Sequence, residues 1–373
     1  MKTLVRLMMF VLISGPVVLP AQAAFSSFYI FGDGVSTTTD NTSGGSLYWG
    51  NRYCNGRVWV EVLAQRQSFP NNTVTNVAWS YSGNNWSYFG DYSSDLVQNV
   101  NSFPAPTNAD TALFVVWVNN ADFVNDMSHY SPYTTNNIAV WIGAINQSLT
   151  NHWQALTNLY YAKGARALIM PNAVDITEIP AYVHLAPAYK SFVRQRVVDF
   201  NAAFAAMLNQ AEASLPGVKI YVPDMFSLLD DIVAHSANYG VTNVLLQGQS
   251  IDALHDPLLT DASLNGPGAN YIFWDNMDPT AKTHEVVADM VQRLISPATI
   301  TNLALLNGSN RLDVANLPIG LNGSVTSNSN LLSWTWTSVT NFDSTNATQA
   351  IFVPASSLPR YYRLQFPYAW TWP

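Results

Sequence analysis

Short apolar runs alternate with longer segments of helical periodicity along most of this chain. Phe28 to Phe31, Ala112 to Val118, Ala165 to Met170 and Lys219 to Val222 are rich in apolar residues without regular alternation, as in strands buried on both faces. Between them, Ile138 to Ala162 and Tyr189 to Ser214 repeat apolar residues at three- and four-residue spacing, which predicts helices. The second of these meets a breaker at Leu215-Pro216-Gly217. Strand, helix, strand order predicts a mostly parallel sheet with helices on both faces, and such sheets carry their sites at the carboxyl ends of the strands. After Ser296-Pro297 the period shortens. Leu331 to Thr337, Gln349 to Val353 and Tyr361 to Phe366 are separated by Asn, Gly, Ser and Pro, which predicts a small all-β module. Its plain reading is a structural or attachment appendage, with carbohydrate or surface binding as the other.

The N-terminus has a different pattern. Lys2 and Arg6 precede an apolar run from Leu7 to Leu19, followed by Ala21-Gln22-Ala23, the order of a secretory signal cleaved after Ala23. Gly15, Pro16 and Pro20 interrupt a run that would need about 20 apolar residues to span a bilayer, and no later segment is suited to do so. The expected division is therefore a signal at 1–23, an α/β domain at 24–296 and a β-rich module at 297–373. The product is expected to be secreted, periplasmic or held at the cell surface, with no integral membrane segment once the signal is removed.

Composition narrows the function. Of 373 residues, 48% are hydrophobic and 13% aromatic, enough for a packed core. Lys and Arg number 16 against 24 Asp and Glu, for a net charge of −8. No basic block offers the phosphate-neutralising surface that nucleic-acid binding needs. The one cysteine, Cys54, permits neither an internal disulfide nor a thiolate metal cluster, and no cofactor or metal is expected.

Candidate chemistry begins at Phe31-Gly32-Asp33-Gly34-Val35-Ser36, directly after the first strand. A Gly-Asp-Gly turn alone is weak evidence, since glycine at a strand exit often only supplies a turn. It is followed in order by Tyr53-Cys54-Asn55-Gly56-Arg57-Val58-Trp59, Tyr81-Ser82-Gly83-Asn84, Leu113 to Phe123, and Phe273-Trp274-Asp275-Asn276-Met277-Asp278-Pro279-Thr280. Together these blocks resemble the GDSL family, or SGNH hydrolases, over roughly residues 25 to 295. The resemblance implies a three-layer α/β/α, flavodoxin-like fold, an ancestry in ester hydrolysis, and a small ester, lipid or glycan as ligand.

That chemistry needs a serine activated by histidine, a carboxylate orienting the histidine, and donors for the oxyanion. By the resemblance, the nucleophile's position is Gly34, the histidine's is Asp278 and the oxyanion asparagine's is Ala121. Asp275 is retained, and the backbone amides of Gly34 and Gly83 remain as oxyanion-type donors. A glycine has no attacking oxygen, and a carboxylate of ordinary pKa near 4 is a poor proton acceptor at neutral pH. The expectation is a fold kept while the standard mechanism was lost.

Substitutes were weighed. Ser36 reads as a helix cap or packing residue rather than a displaced nucleophile, and Ser82 is similar. His284 at a helix start reads as structural, while His255 has no place fixed by sequence. Clustering of Asp33, Asp275 and Asp278 would raise a pKa or invite a hard cation such as calcium, although Asp33 capping its turn and Asp122 capping a helix are the plainer roles. A carboxylate pair could also act on a glycosidic bond. Asp33, Trp86 and Tyr88 are possible ligand contacts, whereas Trp79, Tyr81 and Trp117 read first as core. Three hypotheses stand: a weak or silent hydrolase that binds an acyl or carbohydrate ligand, an active esterase using displaced residues, and a structural surface protein.

Overall fold

In a computed structural model, the structure describes residues 25–67, 69, 84–330, 335–356 and 360–367. The expected signal, Trp79, Tyr81, Ser82, Gly83 and the start of the Leu331 run lie outside the described residues.

Five parallel strands form the central sheet. These are β1 (Phe28–Gly32), β2 (Asn85–Ser87), β3 (Leu113–Trp117), β4 (Ala167–Ile169) and β5 (Lys219–Tyr221), in spatial order β2-β1-β3-β4-β5, the flavodoxin-like order. Every residue of β3 is buried, which explains its unbroken apolar run. Alternation along β1 sends side chains to both faces. Tyr29 and Phe31 meet Phe103, while Phe28 stacks on Phe69.

The crossovers are helical: α1 (Trp59–Arg66), α2 (Ser93–Ser102), α3 (Asn119–His129), α4 (Ile138–Tyr161), α5 (Pro187–Ser214), α6 (Met225–Ala234) and α7 (Ala281–Ile295). α1 packs on α7, and α4 packs on both α2 and α5. α4 and α5 match the two sequence-derived helices to within two residues at each end. α5 starts earlier than expected because Pro187, with its fixed φ, suits a first helical turn. No helix of the described residues is long and apolar enough to cross a membrane.

A short ribbon, β6 (Leu245–Leu246) with β7 (Gln249–Ser250), precedes α7. Beyond α7 come two antiparallel three-stranded sheets. One contains β8 (Thr299–Leu306), β9 (Ser309–Ala315) and β12 (Gln349–Pro354), the other β10 (Gly323–Asn328), β11 (Thr337–Phe342) and β13 (Tyr361–Gln365). They bury their own apolar cluster, including Leu312, Val325, Ile351 and Leu364. Arg66 fastens this part to the sheet domain: its Nε donates to Asp289 Oδ1 in α7 at 2.7 Å and its Nη1 to the Ile319 carbonyl at 3.0 Å.

Candidate functional site

Because all five strands run the same way, the chain leaves them on one edge, and the candidate residues gather there. β1 ends at Gly32, where a Cβ would lie 2.9 Å from both Ser36 Cβ and Ser87 Oγ, so only glycine allows this close approach. The turn that follows is held by Asp33, whose Oδ1 accepts the Val35 amide at 3.1 Å. Ser36 starts no helix, contrary to the capping role read from sequence. It is fully buried, and its Oγ accepts the Trp59 indole N–H at 3.0 Å, so it is a packing residue.

Asp275 sits in a tight loop fastened by the Trp274 amide donating to the Asp278 carbonyl at 2.8 Å. Its Oδ1 accepts the Met277 and Asp278 amides at 2.9 and 2.8 Å, and its Oδ2 accepts the Tyr48 hydroxyl at 2.7 Å. Burial, and then the Asp275 charge, push the Tyr48 phenol well above its ordinary value, so it remains a donor. Tyr48 was not legible in the sequence, because it stands 227 residues from its partner in an irregular segment. That segment is itself pinned by a buried Arg52–Glu61 ion pair.

Asp278 is 4% exposed, and among the described residues no hydrogen bond reaches its carboxyl group. Burial, then Asp275, then Asp33 raise its pKa well above the carboxylate range. Asp33 is raised to about 7, again chiefly by burial and against the backbone amides that hold it. An ideal Cβ at Gly34 would lie 3.7 Å from Asp278 Oδ1 and 2.8 Å from Phe89 Cδ2. Positions 34 and 278 therefore face each other, with the Phe89 ring crowding the place a side chain at 34 would take.

Ala121 lies in the first turn of α3. Its neighbours are committed elsewhere: Asn119 Nδ2 donates to the Pro171 carbonyl at 2.9 Å, and Asn120 Oδ1 accepts the Val174 amide at 3.0 Å. Asp122 caps a helix other than its own, accepting the Ser93 amide at the start of α2 at 2.9 Å. These residues open onto a cavity of about 200 Å³. Asp33, Gly34, Ala121 and Asp278 lie at its polar end, and Trp117, Ile179, Met225, Leu229, Ile232 and Val287 are among its apolar walls. Trp86 and Tyr88 do not line it. Trp86 packs edge-on against Phe103 in the core, and the aromatic at the mouth is Phe89, one residue after Tyr88.

No serine hydroxyl pairs with a histidine here. His284, fully buried, accepts the Trp59 amide on Nδ1 at 3.2 Å, and burial lowers its pKa to about 3. His255 bonds Asp252 at 2.8 Å and borders a second cavity with His184, Ser250 and Asn276. The serine–histidine contacts of the described residues are Ser128 with His129 and Ser148 with His152, within α3 and α4. Ser148 gives its proton to Asp122. Among the described residues no three His, Cys, Asp or Glu side chains are grouped to hold a metal ion.

Comparisons with known proteins agree with the arrangement of the blocks. The GDSL-like lipase/acylhydrolase family model matches residues 28–291. GDSL esterase/lipase At1g73610 of Arabidopsis thaliana is 26% identical over 148 residues, covering 40% of this chain and 41% of that protein. GDSL esterase/lipase APG of the same plant is 23% identical over 213 residues, 54% of this chain and 58% of that one. The chain thus spans roughly half the length of these relatives. Among solved structures, the lipase Lip_vut3 from a goat rumen metagenome aligns with 72% of this chain and 97% of its own, at 11% identity and a TM-score of 0.41. An extracellular lipase from Streptomyces rimosus aligns with 72% and 99%, at 14% identity and a TM-score of 0.39.

Proposed function

The chain belongs to the GDSL-like lipase/acylhydrolase family, and from that premise we propose that it is an exported protein, cleaved after Ala23, whose 24–296 domain keeps the family's cleft as a binding site for an acyl or alkyl chain. The 297–373 module is its appendage. The observation that carries this reading is the geometry around Gly34. The residue facing Asp278 across the cleft has no side chain, Asp278 has no imidazole, and Ala121 has no side-chain amide to offer. Loss of a nucleophile removes most of an enzyme's rate, and losses among residues that act as a unit are not additive, so what remains is binding. The walls favour an apolar chain over a sugar, because aliphatic side chains outnumber hydrogen-bonding groups around the cavity.

Binding of a fluorescent alkyl probe to the full chain tests this reading. Val124 lines the cavity and is only partly buried, so Val124→Trp fills the space with little disturbance of the core. The variant is expected to bind the probe at least about tenfold more weakly, equivalent to about 1.4 kcal/mol. Unchanged probe affinity in the folded variant would contradict the assignment of this cavity as the site.

A further inference from the structure

The polar end of the cavity has an unbalanced charge. Asp33, Asp275 and Asp278 lie together, and among the described residues no Lys, Arg or His nitrogen stands within 4.0 Å of their carboxylate oxygens. Beyond residues 1–24, the segments outside the described residues contain no Lys, Arg or His. Asp252 near Asp275 and Asp122 near Asp33 only add negative charge, and the groups that feel the Asp278 charge itself are Tyr48, Tyr53 and Cys54, all from the irregular segment before α1. Each is neutral, and burial holds it so. The mature chain therefore supplies no cation to this end of the cleft.

Asp278 also lacks partners of the ordinary kind. Asp33 and Asp275 accept backbone or phenolic hydrogens, but the Asp278 carboxyl accepts none while bordering the cavity. A buried polar group left unsatisfied is costly whether ionised or protonated, so a ligand group is expected to complete it. An alcohol would supply a hydrogen bond and leave the charge uncompensated, a carbonyl has no hydrogen to give an ionised carboxylate, and a carboxylate would add to the repulsion. An ammonium supplies both hydrogen bonds and charge.

The space and its walls fit the same group. A group at the Cβ position of Gly34 would stand 3.7 Å from Asp278 Oδ1 but only 2.8 Å from Phe89 Cδ2, so the half-exposed Phe89 ring must shift to admit a head group there and then forms its wall. Phe89 is itself backed by Tyr53, with ring centroids 4.6 Å apart and planes 30° apart. A cation within about 6 Å of an aromatic face is attracted by the ring quadrupole.

We infer that the ligand is a cationic amphiphile: an alkyl or acyl chain in the apolar cavity, with its ammonium head beside Gly34 between the Asp278 carboxylate and the Phe89 ring. This rests on the reading of the cavity as an apolar-chain site and adds the charge of the head. Gly34 and Asp278 are then two halves of one slot, the first making room and the second supplying the counter-charge.

Calorimetry of the full chain with decylamine, decanol and decanoate tests the inference. At pH 8 decylamine is expected to bind at least about tenfold more tightly than decanol, with decanoate weakest. Because the ammonium needs Asp278 ionised, decylamine binding should weaken as pH falls to 5 and should release protons wherever the free carboxyl is still protonated, read as a dependence of the heat on buffer ionisation enthalpy. In Asp278→Asn the two ligands should bind within about threefold of one another. Decanol binding as tightly as decylamine, or a preference for the amine that survives in Asp278→Asn, would overturn the inference while leaving the apolar-chain site intact. Failure of all three ligands to bind would overturn that site as well. Proton release is read on the unaltered protein, so the outcome does not depend on how the variant folds.

Discussion

Gly34→Ser combined with Asp278→His and Ala121→Asn is expected to turn this protein into a measurable esterase, with hydrolysis of a short acyl nitrophenyl ester rising about 10³-fold over the unaltered chain. The scaffold for this is already present. A serine Cβ at position 34 projects toward residue 278 and comes within 2.8 Å of Phe89 Cδ2, so the half-exposed Phe89 ring, stacked on Tyr53, must shift to admit it. Asp275 is held by two amides and can receive an imidazole N–H on the oxygen that now accepts from Tyr48. An asparagine at 121 would add an amide at the cavity wall. Gly34→Ser alone should do little, since a hydroxyl beside Asp278 has no imidazole to take its proton and the three groups act as a unit. Continued silence of a folded triple variant would mean that the cleft differs from its relatives in more than these positions.

Asp278→Asn is expected to stabilise the protein at high pH. Its carboxyl is buried without a hydrogen bond, so the charged form is penalised in the fold and not in the unfolded chain. For such a group the folded-state pKa lies above the unfolded value. Between the two values the folded state holds the proton that the unfolded chain has lost, so stability falls as pH rises through that window. The variant should therefore match the unaltered protein at the acid end, where folded and unfolded chains both hold the proton, and exceed it increasingly as pH rises to 8, by about 2 kcal/mol, or roughly 5 °C in Tm. Thermal unfolding across pH 4 to 8 checks this. A variant equally stable or less stable at pH 8 would show that Asp278 is not an uncompensated acid. Residues that lower stability in the free protein are expected where a ligand completes the site.

The sheet and its two long helices were legible because their signals are local. β3 reads as a strand from five consecutive buried residues, and α4 from its three- and four-residue spacing. The approach of Gly34 to Asp278 was also foreshadowed, since both occupy positions of a known order of blocks. The cavity itself was not legible. Its walls combine Trp117 at the end of β3, Ile179 after β4 and Met225, Leu229 and Ile232 on α6, and nothing in their spacing reveals that they share one space. Trp86 and Tyr88 read equally as ligand contacts or core residues because they stand in an Asn- and Gly-rich stretch. In a strand, however, neighbouring side chains point to opposite faces, and Trp86 lies on the face that meets Phe103. Ser36 read as a cap or a packing residue at a helix start, and it proves to be the second, since the first α-helix begins only at Trp59.

The most direct test of the account is exposure of the unaltered, purified protein to an alkyl fluorophosphonate, followed by peptide mapping. A serine activated by a neighbouring base is labelled by such a reagent, and an ordinary hydroxyl is not. No adduct on any serine and no ester turnover above background are expected, because the described residues at this strand edge pair no hydroxyl with an imidazole. Stoichiometric labelling of a single serine, with matching loss of esterase activity, would contradict that expectation.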